Sequence, residues 1–530
     1  MKKYIFLIIA ALLVLGLVLP GCGGGGQQEE EEEEEENFVT IAVAGPMTDI
    51  QGQGHWNGAT MAMDEINAAG GVDIGGTKYT VKLVKVDTKE TTAGEDGSTG
   101  TANLQAVIDD VDFVVGGFRT EVVSVYREVA MDAQKIFMNC GAATASLQMS
   151  VVTNYDKYKY WFKSTPYNEA FLITSCMKMT GTIANVLKGT LATLEATNPA
   201  YVKDEFKVST AVDGKLRAHI LMENAQWCAG MVIVAQAYLP TLVGLTVTGT
   251  TLVSPTASDI TTELNAIKAL NPHIIFTAFS GSVGAVYSQN KADLGIPALS
   301  IGINVPGQED IHWGNTDGDC EGEVFLDTYA VGLATTANTV SFFEDYEDRF
   351  GSYPVYTAAT YDAILSVTLA MEETASLDPE DLIPWLEDNA FTGGTGAVKT
   401  AYFPMPDVTI TEGQLYALSE DQVRALYPDL GTYSEAAWQC GYLSGSPKGH
   451  IAHDTAYGPG YQTGIGAQWQ EVDGEGVKVG IWPKNLGPAY DAALTDQWGN
   501  WNFQYPGTEK LILPVGNMLN IPWDAYANAV

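Results

Sequence analysis

The chain has 530 residues, 65 of them acidic and 27 basic, for a formal charge of −38 at neutral pH. Binding a phosphate backbone demands a basic footprint, so this balance excludes nucleic acid as a partner. Residues 37–530 alone number 494, too many for one compact core and suited to two large lobes or three smaller domains.

The chain opens with Met1, Lys2 and Lys3, runs apolar from Tyr4 to Val18, and then reads Leu19, Pro20, Gly21, Cys22. Two lysines hold the start on the inner face, the apolar run is long enough to engage a translocation machine, and Gly21 fits a peptidase cleft. An export signal over 1–21 is the expectation. The Leu-x-Gly-Cys ending resembles a bacterial-type lipobox, which implies lipidation of Cys22 and a location on the extracytoplasmic face of the cell membrane. Four glycines, two glutamines and eight consecutive glutamates follow. With nothing to bury and mutual repulsion, they predict an extended tether over 22–37.

Residues 38–44 form a short apolar run entering Gly45 and Pro46, the way a buried parallel strand leaves a sheet. Helical spacing covers 58–69, a strand 79–86 ending at Asp87, a helix 101–108, and a strand 113–115 entering Gly116 and Gly117. This order predicts a parallel sheet covered on both faces. The pattern returns with apolar runs over 218–223 and 230–239, alternation over 245–253, a helix over 260–270 and a strand over 273–278. A second α/β lobe follows from it. Residues 340–350 and 357–373 are again helical in period, and beyond 403 prolines, glycines and aromatics such as Trp469, Trp482, Trp498, Trp501 and Trp523 take over.

Familiar catalytic and metal patterns are missing. Gly52, Gly54 and Gly58 follow a strand, but their spacing is one residue longer than a dinucleotide fingerprint. His450 and His453 sit in a glycine-rich stretch and read as loop residues rather than ligands. None of the six cysteines has CxxC spacing, and with Cys22 lipidated the remaining five allow at most two disulfides. No GxSxG elbow, HExxH helix or Cys/His pair occurs. A binding protein without enzymatic activity, cofactor or metal is expected.

Residues 41–48, 58–72, 75–87, 258–272 and 359–364, taken in order, resemble the type I extracytoplasmic solute-binding proteins of ABC transporters, in particular the branched-chain amino acid (Leu/Ile/Val)-binding family. The resemblance spans roughly 38–400 and leaves 420–530 unaccounted for. It implies an α/β, bilobal periplasmic-binding-protein type I fold: two parallel-sheet sandwiches joined by hinge crossings, with an extended C-terminal region. Lobe I would comprise 38–163 and 323–395, and lobe II 164–322 and 396–530. The implied partners are a small-molecule solute, ABC permease subunits and, through the N-terminal lipid, the membrane. An amino acid or related small polar solute is the implied cargo. A ligand-sensing lipoprotein, or one that grips a glycan or surface with the Trp-rich C-terminal region, is the alternative.

In open α/β sheets ligands sit beyond the carboxyl ends of strands, which selects 48–56, 117–121, 139–146 and 279–282. The resemblance narrows these to Thr48, Asp49 and Gln51, then Phe118 and Arg119, then Gly141, Ala142, Ala143 and Thr144. A solute carboxylate would meet the amides of a helix starting near Thr144, with the Thr144 and Ser146 hydroxyls beside them. Arg119 is placed for a bidentate carboxylate pair, in competition with the many surface acids. Trp56 is expected to cover an apolar side chain, and Tyr167 and Phe279 to line the cleft. Asp310, Glu321, Glu323 and Asp327 are the candidate partners for a solute ammonium.

Overall fold

The computed structural model describes residues 36–389 except 93, 167, 335 and 337, together with 453–455, 464–482, 511–513 and 518–520. Cys22, the tether up to residue 35, Tyr167, Cys440, Trp498, Trp501 and Trp523 lie outside the described residues. The described residues from 37 onward form one compact unit.

Two mixed sheets build the bilobal α/β frame. In the first lobe β1 (Asn37–Gly45), β2 (Val72–Ile74), β3 (Thr77–Asp87), β4 (Phe113–Gly116), β5 (Phe137–Asn139) and β6 (Trp161–Lys163) lie in the order β2-β3-β1-β4-β5-β6. All pairs are parallel except β2 with β3. In the second, β7 (Arg217–Glu223), β8 (Thr246–Val253), β9 (Ile274–Phe279), β10 (Leu299–Asn304), β11 (Val324–Asp327), β12 (Ile465–Val472) and β13 (Glu475–Trp482) lie in the order β13-β12-β11-β10-β9-β7-β8. Here β12 pairs antiparallel with β11, and β13 antiparallel with β12.

The central strands are buried on both faces, which is why they read as unbroken apolar runs: β4, β5, β9 and β10 are buried at every position. Around the first sheet pack α1 (Ile50–Ala68), α2 (Ser98–Gln105), α3 (Thr120–Asp132) and α4 (Ala145–Thr153). A single turn, α5 (Tyr155–Tyr158), leads into β6, and α6 (Glu169–Thr197) opens the second lobe, followed by α7 (Gln226–Tyr238), α8 (Thr261–Lys268) and α9 (Val283–Asp293). A further turn, α10 (His312–Asn315), precedes β11, after which the chain returns to the first lobe with α11 (Thr339–Phe350), α12 (Thr360–Thr374) and α13 (Pro379–Asp388).

Helix α1 begins eight residues before the start that its spacing predicts. Its glycines are not loop residues: a Cβ on Gly52 would sit 2.2 Å from the Pro46 carbonyl oxygen, and one on Gly58 2.1 Å from that of Ala358. They let the helix press against backbone on both sides.

Two lobe assignments also move. Residues 324–327, expected in lobe I, pair with β10 in the second sheet. Residues 453–455, expected in lobe II, cover the free edge of the first sheet, where the Lys163 amide donates to the His453 carbonyl at 2.9 Å and the Thr455 hydroxyl to the Lys163 carbonyl at 3.1 Å.

Candidate functional site

The carboxyl ends of both sheets face a cleft between the lobes, and two cavities sharing Phe118 and Ser280 as walls occupy it. The larger, about 520 Å³, is lined from the first lobe by Thr48, Asp49, Gln51, Thr91, Arg119, Tyr346 and Tyr353, and from the second by Thr256, Gly281, Glu309 and Asp310, among others. The smaller, about 70 Å³, lies at the hinge between the crossings at Thr165 and Pro166 and at Thr328. Its walls include Gly141, Ala143, Leu172, Trp227, Ile303, Val305, Gln308 and Tyr356. Most of these positions follow a strand end, as the open-sheet rule requires.

Buried carboxylates shape the loops that meet here. Glu90, fully buried, accepts the amides of Phe118 at 3.1 Å and Arg119 at 2.5 Å on one oxygen, and the hydroxyls of Tyr126 and Thr88 at 2.8 Å each on the other. Burial pushes its carboxyl up to about 7 against those four donors. In the second lobe Glu223, also fully buried, accepts the amides of Ser280 at 2.8 Å and Gly281 at 3.0 Å, the Ser280 hydroxyl, and the Trp227 indole at 2.6 Å.

Of the residues singled out from the sequence, Thr48, Asp49, Gln51, Phe118 and Arg119 line the larger cavity, and Phe118, Gly141 and Ala143 the smaller. Others are placed elsewhere. Ala142 turns its amide and carbonyl inward to the Asn139 side chain, at 3.0 and 2.7 Å. Thr144 bonds Thr120 through the hydroxyls at 2.7 Å, and it is Thr120 that reaches the small cavity. Trp56 packs on the first core with Lys85 4.2 Å over its ring, and Phe279 sits in the second core against Tyr287.

Two expected anion receptors are partly engaged by the chain itself. The Arg119 guanidinium donates to the Glu90 carbonyl at 2.9 Å and to Glu121 at 2.5 Å. At the start of α4 the Ala145 amide donates to Glu169 at 2.5 Å. Burial raises Glu169 to about 7, with Lys163 pulling the other way.

The C-terminal segment reaches the hinge, which the sequence did not reveal. Lys478, fully buried on β13, pairs with Asp327 at 2.8 Å and donates to the Gln308 carbonyl at 2.8 Å. Lys163, fully buried at the first crossing, lies 3.8 Å from Asp454 and donates to the Ala143 carbonyl at 2.9 Å. His453 stacks on Phe162 at 3.9 Å and bonds the Trp161 carbonyl and Glu387, so it is held as a structural residue. Trp469 and Trp482 are buried in the second lobe. Cys140, Cys176, Cys228 and Cys320 are free and buried.

Solved structures share this architecture. A solute-binding protein of an ABC transporter from Rhodopseudomonas palustris, in complex with 3,4-dihydroxy benzoic acid, is 14% identical over 84% of this chain and 97% of its own, with a TM-score of 0.57. The branched-chain amino acid transporter substrate binding protein LivJ from Streptococcus pneumoniae, in complex with isoleucine, is 18% identical over 69% and 95%, with a TM-score of 0.52. A putative branched-chain amino acid ABC transporter protein from Silicibacter pomeroyi is 17% identical over 84% and 97%, with a TM-score of 0.54. A search of curated proteins returns no match. The periplasmic binding protein family profile matches residues 39–404, well over half of the sequence. The chain therefore belongs to the periplasmic binding protein family, whose members are non-catalytic solute carriers.

Proposed function

We propose that this chain is the extracytoplasmic solute-binding component of an ABC uptake transporter, anchored through a lipid on Cys22, which captures an amino acid or related small polar solute and presents it to the permease. The observation that carries this reading is the pair of adjoining cavities walled by both lobes at the carboxyl ends of their sheets. A solute there touches both lobes only when the cleft is shut, so it stabilises the closed state over the open one. Thr48, Asp49, Gln51, Phe118, Arg119, Gly141 and Ala143 are the proposed solute-facing residues on the first lobe. A glycan-gripping role draws no support from Trp469 and Trp482, whose rings are core.

Trp227 offers a direct readout, because it lines the hinge cavity while its indole is fixed by Glu223. Titrating the full chain with a panel of amino acids and other small solutes should change tryptophan emission saturably for a cognate compound. The change should shrink in Trp227→Phe while calorimetry still detects binding. An emission change of equal size in that variant would remove the solute from the hinge cavity.

A further inference from the structure

The cleft has a sign. The amides of Phe118 and Arg119 hold Glu90, the Arg119 guanidinium holds Glu121, the amides of Ser280 and Gly281 hold Glu223, and the amide opening α4 holds Glu169. Each of these donors is one that a solute anion would need. Meanwhile Asp49, Glu309 and Asp310 line the larger cavity together. Neither Glu309 nor Asp310 has a side-chain hydrogen bond or ion pair among the described residues. Burial first, then Asp310 and Asp49, push the Glu309 carboxyl up to about 8, so a cation beside it would draw its proton off, and Lys478, which pulls the other way, is committed to Asp327.

A second observation is independent of these acids. Gln308 is 4% exposed and lines the hinge cavity. Its Nε2 donates to the Leu326 carbonyl at 3.3 Å, which orients the amide, and its buried Oε1 has no hydrogen-bond partner among the described residues. A buried acceptor left unpaired costs free energy that an incoming N–H donor removes. Phe118, Leu172, Ile303 and Val305 give the same cavity apolar walls.

We propose that the cleft selects a small organic cation, a primary or secondary ammonium on a largely apolar body, with the N–H group donating to Gln308 Oε1 in the field of Glu309, Asp310 and Asp49 and the body against the hinge walls. This inference rests on the solute-binding reading and narrows its cargo to positively charged compounds. Anionic aromatic acids would meet the acids of the larger cavity, with the Phe118, Arg119, Ser280 and Gly281 amides already engaged. Opposite charge in a partly desolvated cleft supplies both attraction and rejection of the wrong sign.

The test is isothermal titration calorimetry on the full chain with probes that share a skeleton and differ in charge: lysine, norleucine and aminoadipate, then benzylamine, benzyl alcohol and benzoate. The cation of at least one set should bind on the order of tenfold or more tightly than its neutral and anionic counterparts. Glu309→Gln and Asp310→Asn, checked for native circular dichroism, should each erase most of that preference. Gln308→Leu should weaken the ammonium probe without changing the charge of the site. Equal or tighter binding of norleucine, benzoate or another non-cation would overturn the proposal and leave the solute-binding reading standing. A cation preference that survives both acid substitutions would overturn the assigned site. Silence from all six probes would also overturn it, and the broader solute screen then decides whether the carrier function falls with it.

Discussion

Glu90 shows how one side chain sets a binding loop. Its carboxyl tethers the two amides that follow β4 and so fixes the Phe118 ring in the wall shared by both cavities. Because burial raises this group from an ordinary 4.5 to about 7, folding favours its protonated form. The stability it supplies is complete below about pH 4.5 and is lost as the pH rises through about 7. Urea denaturation of wild type and Glu90→Gln at pH 5 and pH 8 checks this. The wild type should lose on the order of 3 kcal/mol more than the variant across that interval. Equal losses would show that Glu90 stays ionised in the fold.

At the scale of elements, the hairpin of β12 and β13 carries the counter-charge for the second crossing. Lys478→Met leaves Asp327 buried without its partner, which should cost about 3–5 kcal/mol in chemical denaturation. Adding Asp327→Asn should restore most of it, since no charge then remains to strand. Parallel losses in single and double variants would show that packing, not the ion pair, is what Lys478 contributes.

This hairpin was legible in principle. Asp473 and Gly474 adopt positive φ of 53° and 90° at the turn, and an Asp-Gly pair between apolar runs is a strong short-range hairpin signal. Strands such as β1 and β4 announced themselves because most of their residues are buried on both faces, and the exits of β1, β3 and β4 carry glycine or aspartate. Helix α6 did not, because every residue from Phe171 to Ala184 is buried and no polar stripe marks its period. At the site, the strand-end rule found Thr48, Asp49, Gln51, Phe118, Arg119, Gly141 and Ala143. It missed Gln308 and Glu309 only because β10, which they follow, had not been assigned. What no local pattern could reveal is pairing across long separation, such as Glu90 with Phe118, Glu169 with Ala145 and Lys478 with Asp327. The first two of those contacts engage amides that the sequence left open to a solute anion.

For the whole molecule, two sheets present their carboxyl ends to one cleft, joined at crossings whose buried lysines are Lys163 and Lys478. Phe118, Ala143 and Tyr356 of the first lobe already pack into the core of the second near the hinge. A formal charge of −38 makes self-repulsion within the chain depend on salt, so ligand response belongs in both low and high salt. A thermal-shift screen of the full chain under both conditions against amino acids, amines, amides, organic acids and sugars tests the carrier function most directly. A ligand that binds only the native state must raise its apparent stability, by about 2.7 kcal/mol at a hundredfold excess over Kd. One chemical class should produce a saturable shift; cooperative unfolding that no class of solute displaces would contradict the account.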